Sequence, residues 1–98
     1  MGIGMHCSGE SCIIKVDGEV MVRHLDELRD TLLKAMDKSS EIVVDANDVE
    51  AVDVAVLQLF CAAHKSAVAK NKVIKFMSMS APVAEVAMDA GFTHDTGC

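Results

Sequence analysis

Apolar positions along the chain form two kinds of pattern, short β-branched runs and longer stripes at spacings of three and four, and the two kinds alternate. Cys12-Ile13-Ile14-Lys15-Val16, Ile42-Val43-Val44 and Val73-Ile74-Lys75-Phe76-Met77 have the length and composition of buried strands. The pair Asp17-Gly18 is expected to turn the chain out of the first, the polar patch Asp45-Ala46-Asn47-Asp48 to interrupt the second, and Lys70-Asn71 to lead into the third. A short additional strand is expected in front, near Ile3 to Cys7.

Between these runs lie the helical stripes. Val22, Leu25, Leu28, Leu32 and Met36 share one face, with Asp26, Glu27, Arg29, Asp30 and Lys34 filling the other, which predicts an amphipathic helix of about four turns closed by Asp37-Lys38-Ser39-Ser40. Leu57, Phe60, Cys61, His64 and Val68 place a second helix against the Ile42–Val44 strand. Asp53 stands where that helix begins, and its carboxylate is expected to accept from the free backbone N–H of Ala55 or Val56. Ser80 is expected to cap a third helix with Pro82 in its first turn and Val83, Val86, Ala87 and Ala90 inward. Gly91 would end it, Phe92 would fold back over the core, and the polar tail 93–98 would be mobile.

Strand, helix, strand, helix, strand, helix, with one strand in front, is the order of an α/β domain: a mostly parallel sheet of about four strands joined by right-handed crossovers through about three helices. A chain of 98 residues is one domain, 1–98, and the pattern puts its core at 12–92. Composition narrows what such a domain does. The chain is 51% hydrophobic but 3% aromatic, without Trp or Tyr, so an aliphatic core is implied and the usual stacking platforms for bases and sugars are missing. Net charge is −6 with scattered cations, which excludes nucleic acid as a partner. No apolar run approaches the ~20 residues that span a bilayer, and the first residues lack a leader's basic and apolar regions, so no direct membrane insertion and a cytoplasmic location are expected. The four cysteines, Cys7, Cys12, Cys61 and Cys98, are read as reduced thiols, since so aliphatic a core does not need staples.

The segment Val43-Val44-Asp45, then Val49-Glu50-Ala51-Val52-Asp53, then Ala55 and Leu57-Gln58-Leu59, resembles the core signature of STAS domains, the fold of anti-sigma factor antagonists. Val16-Asp17-Gly18-Glu19 resembles that family's turn before its first helix, and Met79-Ser80-Ala81-Pro82-Val83 with Ala90-Gly91-Phe92 resembles its last helix and closing glycine. The Ala55 and Leu57-Gln58-Leu59 features are closer to a compact subgroup found beside chemotaxis kinases or as the small cytosolic subunit of a phospholipid-transport ATPase. The resemblance implies a single STAS-like domain, a protein-binding role, no catalytic residues and no cofactor. Two departures bear on mechanism. The family's phosphorylatable Ser or Thr after the Asp is Val54 here, and its Gly is Val56. Phosphate would suit a helix N-terminus, but Val54 cannot accept it.

The candidate partner-binding residues are therefore Asp45, Asn47, Asp53, Val54, Val56 and Gln58, with Ala62 continuing the row of Val54 and Gln58 along the helix. Asp45, Asn47 and Asp48 also carry donors suited to a hard cation, though they lack the further ligands and glycine of a calcium loop, and no metal is expected. His6, Cys7 and Cys12 have metal-like composition without a zinc spacing, and Cys61 with His64 has the composition but not the third group of a thiol nucleophile. Met77, Met79 and Met88 are read as gap fillers. Three functions compete: docking on a regulatory kinase or anti-sigma factor, a regulatory subunit of a transporter ATPase, and a small thiol- or metal-dependent enzyme.

Overall fold

In the computed structural model, which describes residues 1–89, the elements follow the order expected. They are β1 (Gly2–Ser8), β2 (Ser11–Val20), a 3-10 turn at Val22–His24, α1 (Leu25–Lys38), β3 (Glu41–Val52), α2 (Val54–Ala69), β4 (Val73–Met79) and α3 (Ala81–Asp89). The expectations for Ala90, Gly91, Phe92 and the tail lie outside the described residues. The sheet has four strands in the order β1-β2-β3-β4, with β1 antiparallel to β2 and the remaining pairs parallel.

Sheet order explains where the helices go. Strands β2, β3 and β4 are added one after another in a single direction, so two right-handed crossovers put α1 and α2 on the same face. Alternation in the strands fits this. Cys12, Ile14 and Val16 of β2, Ile42 and Val44 of β3, and Ile74 and Phe76 of β4 are buried, while Ile13, Lys15, Val73, Lys75 and Met77 are exposed. Parallel sheets are usually covered on both faces. Here the open face carries cross-strand polar pairs instead: Lys15 to Asp48 at 3.3 Å, Lys75 to Glu41 at 3.2 Å, and the Ser11 hydroxyl donating to Glu41 at 3.2 Å.

Leu28 and Leu32 of α1 and Val56, Leu57 and Phe60 of α2 close the covered face, each burial contributing on the order of 2 kcal/mol. Phe60 meets Phe76 edge-on with ring centroids 5.1 Å apart, which joins α2 to β4. Ser39 ends α1 by donating its hydroxyl to the Ala35 carbonyl at 2.9 Å.

Several local expectations are corrected. Asp17-Gly18 is not a turn: β2 runs through it with register shifts, and Gly18 at φ 75° supplies the left-handed residue of an irregular strand. The tight turn lies earlier, where Gly9 at φ 62° joins β1 to β2 between the paired residues Ser8 and Ser11. The patch Asp45–Asp48 does not interrupt its strand either. β3 continues through it because Ala46 and Val49 still reach the core, while the polar side chains face water or neighbouring strands. The Ser80 hydroxyl is buried without a hydrogen-bond partner, so it does not cap α3. Met77 and Met88 are exposed, and of the three methionines only Met79 packs against the core.

The cysteines also differ from expectation. Cys7 and Cys12 are directly paired across the β1–β2 hairpin and form a disulfide, and Cys61 is disulfide-bonded as well. Strand register, which brings two residues five apart face to face, is what the linear sequence conceals.

Candidate functional site

The site is built at the junction of β3 and α2. Val52 ends the strand, Asp53 is extended at φ −82° and ψ 147°, and the helix starts at Val54. Asp53 is thus the N-cap by position, and its carbonyl accepts from the Val56 N–H at 3.0 Å. Its carboxylate, however, makes no bond to its own helix. It accepts at 2.8 Å from the backbone N–H of Val22, and the Asp53 N–H donates to the Val20 carbonyl at 3.1 Å. The expected local cap is replaced by a cross-link to the segment leaving β2, because the parallel pairing of Val20 with Val52 delivers that segment beside Asp53.

This cross-link holds two apolar side chains at the surface. Val22, expected on the inner face of α1, stands before that helix and is 59% exposed; Val54 is 45% exposed. Both flank the Asp53 carboxylate, one through the hydrogen bond and the other through the chain. The α2 first turn has no acidic residue. Gln58 and Ala62, one and two turns on, are exposed and extend the row begun by Val54.

The buried face of α2 is rotated from the expected one. Val56, Leu57, Phe60, Ala63 and Ala67 are buried, whereas Val68 is 54% exposed and His64 is half-buried, with its Nδ1 unpartnered. Val56 is therefore core, 1% exposed, lining a small apolar cavity of about 10 Å³ with Val16, Val20 and Phe60. It takes no part in the surface row. Its side chain fills space between α2 and the sheet, so the departure from glycine adds packing to the core.

Asp45 and Asn47 lie apart from this joint, roughly 20 Å back along β3 at ~3.3 Å per residue. Asp45 accepts from the Asn47 N–H at 3.1 Å, Asn47 donates to Asp48 at 3.4 Å, and Ser78 donates to Asn47 at 3.0 Å. Among the described residues no cluster of His, Cys, Asp or Glu is arranged to hold a metal. The disulfide removes Cys7 and Cys12 as thiolate ligands, and Cys61 is not available as a thiol nucleophile beside His64. The residues brought together are Asp53, Val54, Gln58 and Ala62, joined by Val22. Val22 had no local signal, because its relation to Asp53 arises only from strand pairing.

A one-sided, mostly parallel sheet with a strand-to-helix joint centred on an aspartate defines the chain as a small α/β domain. The chain belongs to the STAS domain family: the family model described as "Mlab, STAS domain" matches residues 3–94. Among solved structures it is similar to the anti-sigma factor antagonist SpoIIAA in its unphosphorylated form, with a TM-score of 0.80 at 14% identity, covering 92% of this chain and 81% of that one. It is likewise similar to the phosphorylated form of SpoIIAA, described as a Bacillus cell fate determinant, with a TM-score of 0.73 at 14% identity over 92% and 84% of the two chains. No curated protein matches the chain in sequence. Among the described residues no helix is long and apolar enough to cross a membrane.

Proposed function

We propose that this domain is a non-catalytic docking module of bacterial signalling, acting on a regulatory kinase or anti-sigma factor through the Asp53 joint and the exposed row Val54, Gln58 and Ala62. One observation carries the reading: Val54 occupies the first position of α2, 45% exposed, beside a carboxylate that is held in place by Val22. A bonded carboxylate between two exposed valines is a surface built for contact, and it lacks the hydroxyl needed for a phosphate switch. SpoIIAA, which has this fold and exists in both phosphorylated and unphosphorylated forms, supports the choice of partner class. Docking here is constitutive at this position. Affinity purification of the tagged chain from its native proteome tests the reading: a kinase or anti-sigma factor should be retained, and Val54→Arg with Gln58→Glu should release it. If the double variant keeps every partner, the surface is wrongly assigned.

The missing hydroxyl also favours a second reading, a regulatory subunit of a phospholipid-transport ATPase, where contact would be permanent. Co-purification with a nucleotide-binding subunit, and absence from kinase complexes, selects it over the first.

A further inference from the structure

We propose that the cleft between α1 and α2 receives an amphipathic helix of the partner, carrying an aliphatic side chain into the cleft and a carboxylate against Arg29. This rests on the reading of the neighbouring α2 row as a docking edge and names the chemistry of what docks there. The cleft has a volume of about 150 Å³ and is lined by Arg29, Leu33 and Met36 from α1 and by Leu59, Ala62 and Ser66 from α2. On both helices these residues fall on one face, at spacings of three and four, so two stripes confront each other. Large side chains on α1 oppose small ones at Ala62 and Ser66, and the mismatch leaves the gap. An apolar cavity of this size holds one benzene-sized group, which suits a single leucine or isoleucine and is too small for an ordinary cofactor.

Two features identify the occupant. Leu33, at the mouth, is 45% exposed, so an apolar side chain entering the cleft would bury it. Arg29 is the one charged residue in the lining and has no ion-pair partner among the described residues, so it offers a carboxylate a donor pair that the chain itself leaves unused. Ala62 belongs both to the cleft and to the row from Val54 through Gln58, which makes cleft and docking edge one continuous surface.

The test uses the full chain and two synthetic helical 18-residue peptides with leucines at i, i+3, i+4 and i+7, flanked by Glu in one and Lys in the other. Amide chemical-shift titration should place the Glu peptide over Leu33, Leu59 and Ala62. Arg29→Glu should weaken the Glu peptide and strengthen the Lys peptide, each by about threefold to fivefold, as befits an exposed ion pair. Ala62→Trp, at an exposed position, should fill the cleft and weaken both by about tenfold or more, with circular dichroism confirming the fold. Equal binding of the two peptides, shifts elsewhere, or no binding would overturn the proposal. So would a dimer of the chain alone that Ala62→Trp dissolves, since the occupant would then be a second copy. Peptide binding that survives in a Val54→Arg, Gln58→Glu variant which also keeps its natural partner would retire the docking edge and spare the cleft. Absence of peptide binding with normal partner release would retire the cleft alone.

Discussion

The carboxylate of Asp53 accepts a 2.8 Å hydrogen bond from the backbone N–H of Val22, a residue 31 positions earlier, and so ties the entrance of α1 to the entrance of α2. Removing the acceptor in Asp53→Ala should cost about 1–2 kcal/mol, since the bond is to a charged group but is exposed to solvent. Asp53→Asn keeps an oxygen that can accept and should lose much less. Urea unfolding measures both, and amide exchange at Val22 should quicken in the alanine variant alone. Equal losses in the two variants would show that charge at the helix end matters more than the cross-link.

Val54→Glu should move stability and binding in opposite directions. The first turn of α2 has no acidic residue, so a carboxylate there should gain about 0.3–1 kcal/mol from the helix field. The same change puts charge on an apolar contact residue and should release the partner. A thermal melt read beside co-purification separates the two effects, and a variant that is stabilised yet binds normally removes Val54 from the interface.

Val56→Ala should behave as a core deletion. A side chain 1% exposed beside an apolar cavity should cost about 2 kcal/mol when truncated, without altering partner affinity per folded molecule. Denaturant melts and binding at a temperature where both proteins are folded distinguish this from a direct contact.

The Cys7–Cys12 bond closes a short loop, with a sequence separation of 5, and its loss in Cys7→Ser should cost about 2 kcal/mol on the chain-entropy account. Glu10 lies between the two cysteines, so non-reducing cleavage after Glu should release the flanking segments still joined. Finding them separate in protein purified without reductant would refute the bond.

Strand and helix order were legible because apolar spacing reports which side of an element meets the core: Ile14, Val44 and Ile74 stand out in period two, and Leu28 and Leu32 in a helical stripe. Boundaries were less legible. Polar residues between Val44 and Val49 resemble a loop when counted along the chain, yet they belong to a strand with one wet face. On α2, where apolar residues surround most of the helix, spacing pointed to an inner face through Cys61, His64 and Val68, which is not the one that packs. Packing selected the one through Ala63 and Ala67, whose small side chains let the helix approach, and left Val68 outside.

By itself the sequence determined the alternation of elements, the α/β class, the family signature around Asp53 and the absence of a phosphate acceptor at Val54, since all of these are properties of neighbours in the chain. Tertiary structure decided that the Asp53 carboxylate turns to Val22 and that Val56 is interior. It also decided that Asp45 and Asn47 belong to the open sheet face and that Cys7 meets Cys12. Each of these depends on strand register and helix rotation, which are set by how separate elements pack against one another and leave no mark on local spacing.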